Sequence, residues 1–299
     1  GLGDVYKRQA DKCPITCCKE WKIAVDADTN RRWKKLLPPD TVPECRKNLS
    51  AYTTKKDGQR VIGLDAMHRC PFLDDAKLCR LVSAYGDSVL SETCATFPRE
   101  YHTFHNHKEG MLMPCCPAVI DLWRDTLLDF PQVSDPDALF LIRASIMDLI
   151  QDMNISIEEA LLESFYILSE LAKNAPITIA KVTEYFSLSS LSELRAAIHD
   201  VELPAADTWM ECNELLQDLS VNYIGEGLYA PYLNPLITLA EQFTVPDDER
   251  LIDFNKQLHT YDILFRNYVA NEIFSDLLMP EDTICLLYTS PSPRDRSVS

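Results

Sequence analysis

Cys13-Pro14-Ile15-Thr16-Cys17-Cys18-Lys19-Glu20-Trp21 places three thiols within six residues. No regular helix or strand needs cysteine at that density for packing. A soft metal ion or an iron–sulfur cluster does, because the ligand is the thiolate and neighbouring thiolates repel unless a cation sits among them. Cys70, Cys79, Cys94, Cys115 and Cys116 continue the series. Of the 11 cysteines, only Cys45, Cys212 and Cys285 lie outside these groups. Cys45 and Cys212 alone read as small hydrophobes. The stretch therefore predicts a metal-binding module held together by its ligands, since binding then supplies folding free energy that a small core lacks.

Outward from this stretch, Trp21 to Asp26 alternates large apolar with smaller or polar residues, which predicts a short strand. Asp28 is expected to cap a helix carrying Trp33, Leu36 and Leu37, stopped by Pro38-Pro39. A turn is expected at Asp57-Gly58. Tyr101 to His105 and Met111 to Met113 are expected to pair as a hairpin across Asn106 to Gly110, returning Cys115-Cys116 toward the first cysteines.

After Pro117 glycine becomes scarce and helical periodicity takes over. Asp135-Pro136 reads as a cap and first-turn proline before Leu139, Ile142, Ile146, Leu149 and Ile150. Ser156-Ile157-Glu158-Glu159 reads as a capping box. Further helices are expected near Thr178, Ser190 and Asp207, with a last one from about Asp247 to Leu278, making six or so. Gly225-Glu226-Gly227 lacks a third glycine and reads as a helix end. The fold class is mainly α: an irregular cysteine-rich module over 10–117 with a short hairpin, then an all-helical domain over 118–284. Residues 1–9 and 285–299 change composition abruptly and resemble translated adapter sequence rather than protein.

The formal charge of −17 argues against a nucleic-acid partner, whose phosphates want a basic face. No apolar run approaches the roughly 20 residues of a membrane span. Cysteines gathered in one part of a long chain suit a reducing cytoplasm better than a secreted disulfide scaffold. There is no Walker A lysine, nucleophile-elbow serine or HExxH. The Cys13–Cys18 spacing is C-x3-C-C, and Glu20 stands where a radical-type cluster would need its third cysteine. An all-thiolate set suits an iron–sulfur cluster. Zinc is the alternative, because His68, His102, His105 and His107 lie in the same region.

Cys13 to Asp26 resembles the opening signature of the flagellin lysine N-methylase (FliB-like) family. That signature also marks a wider group of zinc- or iron-chelating CxxxCC proteins. Cys70-Pro71-Phe72-Leu73, Leu78-Cys79-Arg80-Leu81-Val82 with Tyr85-Gly86, Cys94-Ala95-Thr96-Phe97-Pro98-Arg99 and Cys116-Pro117 resemble its later elements. Phe265 to Glu272 resembles its C-terminal helix. One departure is Arg8, which stands where the family carries a further cysteine. The resemblance implies methyl transfer from S-adenosylmethionine to lysines of flagellin, with an iron–sulfur cluster of the [4Fe–4S] type whose ligands come from among Cys13, Cys17, Cys18, Cys70, Cys79, Cys94 and Cys116, in one site or two. A lysine must lose its proton before it attacks a sulfonium methyl, so a base is needed. Asp26, Glu100 and Tyr101 are candidates, and Arg99 is a candidate partner for a cofactor carboxylate. The competing expectation is a non-enzymatic zinc- or iron-binding module whose helical domain docks a protein.

Overall fold

The computed structural model describes residues 10–131, 137–174, 176–199, 205–225 and 229–277. Among them the chain forms twelve α-helices and two antiparallel two-stranded ribbons, so it is mainly α. The adapter-like ends, Asp135-Pro136 and Cys285 lie outside the described residues.

The first pairing follows from the alternation at Trp21–Asp26. Ile62 N–H donates to the Ile23 carbonyl and Val25 N–H donates to that of Arg60, each at 2.9 Å. The segment makes only one ladder bridge, Ala24 to Val61, rather than the expected strand. It is cut short because Asp26 already caps α1 (Ala27–Trp33), two residues before the predicted cap. Asp26 accepts from Thr29 N–H at 2.8 Å and from Glu92 N–H at 3.0 Å. Asp28 instead pairs with Arg31 in solvent, and the helix ends before Leu36 and Leu37. Asp57-Gly58 turns β1 (Thr53–Lys56) into β2 (Gln59–Ile62), as the sequence predicts. Trp33, Phe72, Tyr52 and Leu49 fill the core beneath, with Trp33 Nε1 donating to the Val89 carbonyl at 2.8 Å.

Burial pushes the Asp26 carboxyl upward, but the N–H groups of Glu92 and Thr29 and the Thr29 hydroxyl together hold it below the ordinary carboxylate range. Its contribution to stability is therefore present above the unfolded value of about 3.9 and lost as pH falls through the lower native value. Replacing Asp26 with Ala is expected to cost about 1–2 kcal/mol at neutral pH, read from the urea midpoint. The difference from wild type should shrink on acidification below about pH 4.

After α2 (Arg80–Tyr85) and α3 (Glu92–Thr96) comes the second ribbon, β3 (Arg99–Thr103) with β4 (Lys108–Leu112). The hairpin exists as predicted, with a tighter turn: Gly110 lies inside β4 opposite Tyr101. A Cβ at Gly110 would meet the Tyr101 ring at 2.8 Å, so glycine is required there by the ring rather than by a turn. α4 (Pro117–Trp123) then carries Val119 and Trp123 into a small cluster with Leu112 and Cys116.

The helical part begins with α5 (Ala138–Gln151), capped by Asp137. The Ser156 capping box opens α6 (Ile157–Lys173), and Thr178 caps α7 (Ile179–Tyr185). α8 (Leu188–His199), α9 (Ala205–Gly225), α10 (Ala230–Glu241), α11 (Asp248–His259) and α12 (Asp262–Asp276) follow. The expected last helix is thus two, broken at Thr260 and Tyr261, and Gly225 ends α9. Ile142, Ile146, Ile150, Ile167, Leu168, Ala270 and Phe274 form the largest apolar cluster, which Met111 of β4 joins.

α12 is buried through polar residues as much as apolar ones. Arg266 donates to the carbonyls of Ile150 (2.7 Å), Asp152 (3.0 Å) and Ile155 (2.6 Å) and to Asp262 (2.8 Å). It thereby closes the carbonyls left open at the end of α5. Asn267 accepts from Leu128 N–H and donates to the Trp123 and Thr126 carbonyls. No described helix is long and apolar enough to cross a membrane.

Candidate metal centre

The thiols meet because three backbone junctions bring their segments together. Cys70 N–H donates to the Cys18 carbonyl at 2.8 Å, and Glu20 N–H donates to that of His68 at 3.0 Å. Leu73 bridges to Cys79, and Lys77 Nζ donates to the Cys13 carbonyl at 3.0 Å. Glu20 and His68 both adopt left-handed φ, a conformation uncommon for such residues, which the crossing of the two loops imposes. Trp21 locks the first loop by donating from Nε1 to the Cys17 carbonyl at 2.6 Å.

Cys18, Cys79 and Cys94 consequently pack against buried Cys70 in one apolar cluster. The hydrogen bond with the Cys17 thiol pushes Cys18 far above the ordinary thiol range. Burial and the charges of Cys17, Cys70 and Cys94 push it the same way. Burial does the same to Cys70, with Cys94 and Cys79 adding to it against the N–H groups of Phe72 and Leu73, which favour its thiolate. Of the seven candidate ligands, Cys18 thus interacts with Cys17, Cys70 and Cys94, and Cys70 with Cys94 and Cys79. Cys13 is tied to the turn before Cys79. Cys116 sits in the neighbouring cluster beside Phe97, whose ring lies 5.3 Å from that of Trp21. Cys45 and Cys212 are exposed.

Among the described residues, no three or more His, Cys, Asp or Glu side chains are disposed to hold a metal ion. The chemistry of the thiol set nonetheless fits a cationic inorganic centre. Burial and the neighbouring thiols keep Cys18 a neutral thiol, and a cation among the sulfurs would reverse that. Three of the thiols also stand at helix starts: Cys79 and Cys116 at the N-caps of α2 and α4, Cys94 in the first turn of α3.

The other predicted residues are more dispersed. Asp26 spends both oxygens on backbone N–H groups. Tyr101 lies on the outer face of the hairpin, where Lys108 Nζ sits 4.3 Å from its ring centroid. Glu100 lies half-buried, 3.7 Å from His102 Nε2. Arg99 opens β3 opposite Leu112. His105 is exposed at the turn, and His107 Nε2 is 3.1 Å from Glu109 Oε1.

Sequence patterns did not point to Glu109 and Arg143, which join the hairpin to the helices. Both are almost fully buried. Arg143 holds Glu109 with a two-pronged contact, 2.9 Å between Nη1 and Oε2, and donates to the Phe274 carbonyl at 3.1 Å. The only sequence signal was a charge on the apolar face of α5.

The chain is 31% identical over 136 residues to the flagellar biosynthetic protein FliU of Salmonella muenchen, covering 43% of this chain and 72% of that protein. The chain belongs to the FliB-like lysine-N-methylase family. It is also 33% identical over 138 residues to the lysine-N-methylases of Salmonella typhimurium and Salmonella choleraesuis, a match covering 45% of this chain. That match spans about a third (32%) of each of those methylases. No family model and no solved structure matches the chain.

Proposed function

We propose that this FliB-like chain is a protein-lysine N-methyltransferase that modifies flagellin, using S-adenosylmethionine as donor and carrying an iron–sulfur cluster on its gathered cysteines. The similarity to proteins named lysine-N-methylase carries the reading. The convergence of Cys17, Cys18, Cys70, Cys79 and Cys94 supports the cluster part, because thiols so placed gain most from a shared cationic centre.

When bound, the cluster would join the Cys13–Cys18 loop, the Cys70–Cys79 turn and α3 as a cross-link, a structural contribution rather than a redox one. The residues around it then do ordinary positioning. Cys94 anchors α3, which leads within three residues into β3. β4 delivers Glu109 to Arg143 and Met111 to the helical core, so the hairpin that follows the thiol region is tied to the helices by an ion pair and by packing. Methyl transfer needs the acceptor nitrogen in line with the sulfonium, and such positioning supplies much of the rate. The acidic balance of the chain attracts a cationic lysine acceptor.

The experiment is methylation of unmodified flagellin by anaerobically reconstituted protein and S-adenosylmethionine. One or more added methyl masses on lysine-containing peptides are expected. No added mass with protein shown to carry iron and sulfide would overturn the reading.

A further inference from the structure

A cleft of about 150 Å³ opens between α5, the segment around Phe130 and α12. Its size decides what it can take: pockets for drug-sized ligands run to about 300 Å³ and more, so this one suits a single side chain rather than a nucleoside cofactor. Phe130, Phe140 and Phe274 wall it together with Arg143, Asp129 and Asp148. The Phe130 and Phe274 rings lie 5.3 Å apart. The Arg143 guanidinium sits 4.8 Å from the Phe140 centroid and 4.6 Å from that of Phe274.

The charge balance of these walls is set by Glu109. Arg143 would repel a cation, but Glu109 neutralises it from behind. That leaves two carboxylates, Asp129 and Asp148, without a hydrogen bond or ion pair to any described residue. Asp148 is open to solvent by area yet crowded by protein on its inner side, and this loss of water raises its carboxyl above the ordinary value. Aromatic faces with a negative rim attract cations, and an aliphatic stem gains by lying along the rings. Arg143 already donates to Glu109 and to the Phe274 carbonyl, which weakens its pull on an anion.

We infer that this cleft receives the side chain of an acceptor lysine, its methylenes along Phe140 and Phe274 and its ammonium at Asp148 and Asp129. The inference rests on the methyltransferase reading for its substrate and adds the place where that substrate docks. A methylated ammonium keeps its charge, so the same walls accept the product.

The test uses the full chain labelled at its methionine methyls, since Met147 also lines the cleft. Nα-acetyl-lysine methylamide is titrated in, beside the uncharged norleucine compound. Movement of the Met147 signal is expected with the lysine compound alone, weakened about tenfold in Asp148→Asn and in Phe140→Ala and restored in Asp148→Glu. Thermal melts confirm that each variant is folded. An equal response to norleucine, or no weakening in folded Asp148→Asn, overturns the inference. Flagellin methylation by the same proteins separates the two ideas. Wild type and both variants methylating alike rejects the cleft and keeps the methyltransferase. Lysine binding through Asp148 without methylation rejects the methyltransferase and keeps the cleft.

Discussion

Replacing Arg143 with Met is expected to destabilise the protein by about 3–5 kcal/mol. The estimate follows from where the charge is left. Glu109 and Arg143 are each about 2–3% exposed, so neither can turn to water. Removing the guanidinium strands the Glu109 carboxylate with only His107 at 3.1 Å, and it also opens the Phe274 carbonyl. Methionine fills much of the arginine stem's volume, so the loss reports the uncompensated charge rather than a cavity. Urea unfolding reads it as a lower midpoint at unchanged slope. The double variant Glu109→Gln with Arg143→Met removes both charges and should recover a large part of the loss, because a buried pair costs most when only one partner is taken away. A single variant within about 1 kcal/mol of wild type would show that the ion pair does not connect hairpin to helix as described.

That pair also shows what sequence reading reaches. Local patterns were legible because their physics is local. Ser156 and Glu159 announced their capping box three residues apart, and Asp57-Gly58 announced a turn. The β3–β4 hairpin was visible from its flanks, although Gly110 misled because glycine reads first as a turn and only a ring lying over it reveals otherwise. Glu109 and Arg143 are 34 residues apart, and nothing in either neighbourhood names the other. The last helix was expected as one run from Asp247 to Leu278; the buried face of α12 carries Arg266, Asn267 and Asn271, so apolar periodicity understated its burial and hid the break at Tyr261. The FliB-like resemblance did mark that helix.

The candidate site was legible in part. Thiol density at Cys13–Cys18 marked these residues as a candidate centre before any fold was known, since density is a sequence property. Which thiols meet was not, because that depends on the crossing of the Glu20 and His68 backbones. The cleft at Asp148 had no signature at all. Its rings come from Phe130, Phe140 and Phe274, which lie far apart in the sequence and share no motif.

The second large effect belongs to the thiols. In anaerobically reconstituted protein, Cys18→Ala and Cys70→Ala are each expected to lose most of the bound iron and sulfide, while Cys45→Ala and Cys212→Ala keep theirs. Cys18 and Cys70 are chosen because each interacts with at least two other thiols, so either loss opens the centre on two sides. The controls are exposed cysteines outside the gathered set. Metal-linked folding free energies reach about 10 kcal/mol or more in small sites, against about 1 kcal/mol for a lost cap. Cluster loss should therefore also lower the melting temperature of Cys18→Ala far below that of Asp26→Ala. Stripping the metal from wild type should bring its melt down to that of Cys18→Ala, and the same treatment should leave Cys18→Ala unchanged. The comparison matters because alanine at Cys70 removes a buried sulfur as well as a ligand, and packing loss alone would lower the melt in both the loaded and the stripped state. Iron retained in full by both variants would mean that the thiols gather as a hydrophobic core, and that the cysteines at the helix starts of α2, α3 and α4 serve packing instead of an inorganic centre.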